Sequence, residues 1–308
     1  MNRTRSHNLR LGLCCIFRDQ PIKFRTTTAR ALSRLTRRER QKKLSELCFH
    51  NAEALMQSLE FCTGAGIGAF RILSQIMPLR THPDFGYDLT DLAAGDAIRA
   101  TFARVKEYAG KNNIRLSFHP DQFVVLNSPR EDIVASSIGE LVYQSEVADR
   151  VGADVVNIHG GGAYGNKTEA LKRFEHTFLR LPEQVRRLLT IENDDRVYSP
   201  SDLLPLCESV DIPLVYDVHH HRCLPDELNI DEATRRALAT WNREPLFHIS
   251  SPIDGWNGRR PERHHDYIDI NDVPEGWCSL KLTVEVEAKA KELAVVKLAD
   301  ELCHPGRP

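Results

Sequence analysis

The sequence predicts an α/β chain closed into a (β/α)8 TIM barrel with a metal cluster at the C-terminal face of its strands, and three observations predict it. Short apolar runs alternate with mixed polar and apolar stretches long enough for a helix, the order expected of a parallel sheet with right-handed crossovers. Six of the runs end on side chains that can bind a metal: IRLSFH on His119, DVVNIHG on His159, LLTIEND on Glu192, LVYDVHHH on Asp217 and His220, PLFHISS on His248, and LTVEVE on Glu287. The length of 308 residues suits a barrel of about 250 residues plus insertions. Ligands of parallel α/β folds bind at the carboxyl ends of the strands, so these residues converge on one site.

The first strand is expected at Leu9 to Phe17, after a short basic tail, followed by the loop RDQPIKFRTTTAR, whose hydroxyls and cations could grip phosphate oxygens. Leu32 to Phe61 has helical spacing and stops at Gly64-Ala65-Gly66. AFRILS is the second strand, and a long loop containing His82 leads to a helix from about Leu92 to Gly110. Helices are expected over Asp132 to Val151, Glu169 to Leu181, Ser201 to Val210 and Asp231 to Arg243, with a closing helix from Ala288 to Leu302. HGGGAYGNK, His159 to Lys167, precedes a helix as phosphate cradles do, but it lacks the spacing of a P-loop. The loop from Ser251 to Asp272 holds Arg259, Arg260, Arg263, His264 and His265, and a loop this long is more often functional than idle.

The chemistry of the strand ends follows from burial. LVYDVHHH opens as a buried strand and closes on an aspartate and histidines; ionisable groups at such a mouth are costly unless neutralised, and a divalent ion neutralises them. Glu192 faces the site if Ile191 faces the helices.

Hydrophobic content of 41% and charged content of 27% are those of an ordinary globule, and one domain spanning 1–308 with short tails is expected. No apolar run approaches the ~20 residues of a spanning helix, and no export signal is read, so no membrane partner is expected. Eight cysteines without a CxxC pair fit reduced thiols in a cytoplasmic protein. The net charge of −2 hides an asymmetry: residues 1–43 carry thirteen Lys or Arg against Asp19 and Glu39, hence +11, and the rest is −13. A basic segment of this kind is the footprint of phosphate contacts, or the solvated face of a helix.

The set FHPDQF, NIHGGGAYGNK, TIENDD, YDVHHH, HISSP, HHDYID and VEAKAKE, in that order between about Arg71 and Leu302, closely resembles the UV damage endonucleases, metal-dependent repair nucleases on a TIM barrel related to endonuclease IV. The resemblance implies metal ligation by His119, His159, Glu192, Asp217, His220, His248, His264 and Glu287. It implies catalytic roles for Glu192 and for His82, in a loop similar to that family's PLxxHP, and it makes Gln122 and Phe123 the pair that probes damaged bases. A monomer is expected to act on double-stranded DNA containing lesions, incising 5′ to UV photoproducts and other helix-distorting damage and leaving a 3′-hydroxyl. Its cofactor would be a cluster of two or three divalent ions, manganese first and zinc second, which lowers the pKa of a bound water and clamps the attacking and leaving oxygens.

Two features depart from the family. The lysine two positions before the HLSSP histidine, which can be carboxylated and join the metal site, is Leu246 here, and the stretch GLCCIFRDQPIKFRTTTA is only loosely similar. Two other functions fit a barrel of this kind: a metal-dependent sugar isomerase, which would not require the +11 segment, and a non-catalytic binder of damaged DNA. On UV-irradiated plasmid the nuclease nicks, the binder shifts mobility without nicking, and the isomerase does neither.

Overall fold

Each expected apolar run becomes a parallel strand in the computed structural model of the protein, which describes residues 8–304. The strands are β1 (Leu9–Cys14), β2 (Ala69–Ile72), β3 (Arg115–Phe118), β4 (Val155–His159), β5 (Leu189–Glu192), β6 (Leu214–Val215), β7 (Leu246–Ile249) and β8 (Leu282–Val286). They pair in the order β6-β5-β4-β3-β2-β1-β8-β7. A parallel bridge between Asp217 and His248, with the His248 N–H donating to the Tyr216 carbonyl at 3.1 Å, brings the two ends of the sheet together. The expected N-terminal tail lies almost entirely outside the described residues, as does the end of the C-terminal one.

Successive side chains of a strand point to opposite faces, so each strand divides its residues between two environments. Phe70, Leu116, Val156, Ile158, Ile191, Phe247 and Val284 pack outward into the main core between strands and helices. Val155, Val215 and Leu246 form a separate small apolar cluster. Their strands continue, two residues further on, to Asn157, Asp217 and His248, all buried. On these three strands the interior is thus apolar below and polar towards the C-terminal mouth, while β8 places the buried Thr283 beside Leu246, where it bonds Arg115 and Glu244.

The connecting helices are α1 (Ala29–Ser33), α2 (Arg37–Ala65), α3 (Gly95–Lys111), α4 (Glu131–Val151), α5 (Lys167–Leu179), α6 (Glu183–Arg186), α7 (Pro200–Val210), α8 (Val218–Cys223), α9 (Ile230–Ala239) and α10 (Glu292–Cys303). Several differ from expectation for local reasons. The helix expected from Leu32 is two helices, because Thr36 and Glu39 form a capping box that starts α2 afresh; α2 then ends on Gly66 at φ 72. The first strand stops at Cys14, since Cys15 takes φ 67. The histidines after β6 lie on a short helix, α8, which Asp217 caps by accepting the His220 N–H at 2.8 Å. The closing helix begins at Glu292 rather than Ala288, after Lys291 at φ 55. No helix among the described residues is long and apolar enough to cross a membrane.

Candidate metal centre

Glu192 ends β5 with 1% of its surface exposed, and three histidines converge on it. Its Oε2 lies 2.9 Å from His119 Nε2, and its Oε1 lies 3.1 Å from His248 Nδ1 and 3.3 Å from His220 Nδ1. Asn157, one turn of the pleat below His159 on β4, donates to Oε2 at 2.6 Å and in turn accepts from Thr190 at 3.0 Å. The carboxylate is therefore fixed from below by one neutral donor, the Asn157 amide, and faced from above by imidazoles. Burial alone would raise its pKa, but His248 nearby, with hydrogen bonds from His119 and His220, holds it well below the usual carboxylate range.

The other ligand-type residues stand around this centre. Ligand atoms of three trios each lie within 4.8 Å of one another: His119, Glu192 and His248; Glu192, Asp217 and His220; and Asp217, His248 and Glu287. His159 stands beside them, its ring 5.0 Å from that of His119 and 6.0 Å from that of His220. His264 is at the margin, its Nδ1 3.8 Å from Glu287 Oε2, and belongs to none of the trios. Burial lowers the pKa of His159 and so keeps it neutral, the form that ligates. Burial would do the same to His248 and His220, but Glu192 beside the first raises it to about 10, and Asp217 and Glu192 raise the second well above its ordinary value.

On the β8 side the organising residue is Arg71, which sequence reasoning passed over. Buried on β2, it pairs with Glu285 at 2.5 Å and Glu287 at 2.6 Å and reaches His248 Nε2 at 2.9 Å. Ser117 donates to the other oxygen of Glu285. Burial opposes ionisation of Glu285, yet Arg71, His248 and Ser117 hold its pKa at about 2. Glu287 is depressed for the same reason, with Arg71 and His248 overcoming its burial. A signal was available in the sequence: an arginine two residues into AFRILS and a glutamate two before Glu287 are charges inside buried strands, which must find partners.

Above the cluster opens a cavity of about 1630 Å³, lined by His82, Gln122, Phe123, His119, His159, Glu192 and Glu287 among others. Phe123 is 76% exposed, so it is no core residue, and Gln122 beside it is exposed as well. His82 lies on the cavity wall outside the trios, its ring 5.0 Å from Phe85 and its Nδ1 accepting the Asp84 N–H at 3.1 Å. The glycines of HGGGAYGNK have packing roles: a Cβ on Gly160 would meet Tyr198 at 2.7 Å, and one on Gly161, at φ 80, would collide with the Asn127 side chain. The helix behind them is capped by the Asn166 side chain, which takes the donor an anion would use. Leu246 is 1% exposed, two residues below His248 on β7 and within the apolar cluster of Val155 and Val215.

The donor set fits a divalent ion. Its members are imidazoles and carboxylates, the ligand types of manganese and zinc, and two of their buried atoms, His159 Nδ1 and Asp217 Oδ2, have no hydrogen-bond partner. A parallel barrel with this set gathered at its C-terminal mouth defines the class, that of (β/α)8 barrels with a cluster of metal-competent side chains at the strand ends. The chain belongs, more narrowly, to the UV-endonuclease UvdE family, whose sequence profile matches residues 9–305. It is 33% identical over 300 residues to a UV DNA damage endonuclease of Bacillus velezensis, covering 94% of this chain and 91% of that protein. The crystal structure of SacUVDE superposes with a TM-score of 0.83 at 30% identity, covering 96% of this chain and 98% of that one. Endonuclease IV from Thermus thermophilus shares the fold, with a TM-score of 0.61 at 15% identity over 95% of this chain and 98% of that one.

Proposed function

We propose that the protein is a metal-dependent DNA repair endonuclease that incises the strand immediately 5′ to UV photoproducts and other helix-distorting lesions. The observation that carries this is the placement, within one cavity, of an imidazole and carboxylate cluster around Glu192 and an exposed Phe123 with Gln122 at its side. His119, His159, Glu192, Asp217, His220, His248, His264 and Glu287 would hold two or three ions, with manganese first and zinc second. When bound, such ions supply Lewis acidity towards the phosphodiester and a water that ionises near neutral pH.

The chain's own residues do the rest. Glu192 presents both oxygens to the cluster, and Asn157 prevents its rotation. Asp217 holds His220 through its backbone and points its free Oδ2 at the same space. Arg71 keeps Glu287 ionised and aimed inward. His82, on the wall, is placed to meet the phosphate. A damaged step costs less to unstack than an intact one, so Phe123 and Gln122 can enter the stack there at the least cost.

A duplex with one cyclobutane pyrimidine dimer tests this reading. The expected product is a nick directly 5′ to the dimer whose 3′ end a polymerase extends; cutting elsewhere, or none, would overturn it. Phe123→Ala with Gln122→Ala should reduce the ratio of damaged to intact affinity by about tenfold, in keeping with about 1–3 kcal/mol for stacking on an aromatic, while bound metal per protein stays unchanged. An unaltered affinity ratio would remove the pair from lesion recognition.

Leu246 bears on the metal rather than on the lesion. A carboxylated lysine would bring an anionic oxygen ligand towards His248, whereas the leucine contributes only to the apolar layer beneath. Leu246→Lys in bicarbonate buffer should therefore half-saturate at about tenfold lower manganese. Titrations of the two proteins that superimpose would make the leucine a neutral replacement.

A further inference from the structure

A second cavity, of about 610 Å³, adjoins the first, and Glu287 lines both. Its wall carries Arg71, already paired with Glu285 and Glu287, and three further cations, Arg263, Lys289 and Lys291, none of which has a carboxylate within ion-pair distance among the described residues. Nearby Arg18, by contrast, faces Asp266 at 3.6 Å. The two segments that carry the three cations are tied together, since Lys289 N–H donates to the His265 carbonyl at 3.0 Å and Ala290 N–H to the Asp266 carbonyl at 2.9 Å. Lys291 also sits at φ 55 and ψ −123, a conformation usually left to glycine, at the start of α10, where no side chain caps the helix. Lys291 lines the cavity, and the Glu292 carboxylate that follows it is turned to the backbone N–H groups of Arg18 and Asp19.

We propose that this cavity binds one or two backbone phosphates of the incised strand on the 5′ side of the cut. The inference rests on the endonuclease reading and extends it. With Phe123 and Gln122 in the larger cavity, the lesion lies there, on the 3′ side of the scissile phosphate at the Glu192 cluster. The strand that continues 5′ must leave past another wall of the cluster, and Glu287 forms the wall that opens onto the three unpaired cations. Charged donors without partners favour phosphate oxygens, and such contacts fix the register of the strand without reading its sequence. Arg263, Lys289 and Lys291 are thus positioning residues rather than ligands, although His264 and Glu287 line the same cavity.

Methylphosphonate substitution, which removes the charge of one phosphate at a time, tests this on lesion duplexes whose incision position carries a non-cleavable methylene phosphonate. Wild-type protein should bind about fivefold more weakly when one of the first phosphates 5′ to the cut is neutral. The double variant Arg263→Gln, Lys289→Gln should bind the unmodified duplex about tenfold more weakly, show no further loss on the neutralised one, and lose about two units of salt slope. A wild-type protein indifferent to every 5′ substitution, or a double variant as sensitive as wild type, would overturn the proposal. A cleavable lesion duplex run alongside keeps the two claims apart. Nicking without 5′ interference removes the phosphate site alone, and 5′ interference without nicking removes the endonuclease reading alone.

Discussion

Glu192→Gln is expected to reduce incision of damaged DNA by at least about a thousandfold while the protein stays folded. The substitution keeps the shape of the side chain and removes the charge shared by His119, His220 and His248. If that charge bridges the ions, its loss forfeits several kcal/mol of transition-state stabilisation, and about 4 kcal/mol is a thousandfold. The fold survives because the imidazoles need not remain charged once their partner is neutral. His248, held up to about 10 chiefly by Glu192 against its burial, can release its proton. Nicking rates and circular dichroism on the same preparation check both halves. A variant that cuts at the wild-type rate would rule out Glu192 as a bridge.

Arg71→Met is expected to be the most destabilising of these substitutions, at about 3–5 kcal/mol in metal-free protein near neutral pH, because it strands the buried carboxylates of Glu285 and Glu287. The pH dependence has a definite sign. Glu285 is depressed from 4.5 to about 2 in the folded protein, so its contribution is full above 4.5 and is lost as the pH falls towards 2. Without Arg71 the carboxyl is buried and less well paired, and folding then favours its protonated form. The variant's folded carboxyl thus titrates above 4.5 and the wild type's at about 2, so the stability gap between the two proteins should narrow steadily as the pH falls from neutral to 4. Urea midpoints at pH 8 and pH 4 check this, and a gap that is constant or wider at pH 4 would contradict the role given to Arg71.

What the sequence made legible and what it hid divide along the range of the interactions involved. Strand ends could be read because the information is local: a β-branched run closing on His or Glu states both the strand and the direction of the mouth. The same locality explains why Ile191 and Glu192 could be assigned to opposite faces. Arg71 and Glu285 are 214 residues apart and Ser117 and Glu285 are 168 apart, so their pairing exists only once the barrel closes. Asn157 was missed because an asparagine within an apolar run carries no charge to mark it. The exposure of Phe123 is a property of the loop after β3 that no periodicity records. Leu246 was legible only as a departure from the family; its packing with Val155 and Val215 beneath the donors exists only once β4, β6 and β7 share the barrel interior.

We propose that a divalent ion at the Glu192 cluster enables the cutting of DNA at lesions. The most direct measurement removes the metal and returns it: protein stripped by chelator is incubated with UV-irradiated and unirradiated supercoiled plasmid, with and without added manganese. Relaxation of the irradiated plasmid alone, abolished by chelation and restored by manganese, is the expected result. Equal relaxation of both plasmids, or relaxation that survives chelation, would contradict it.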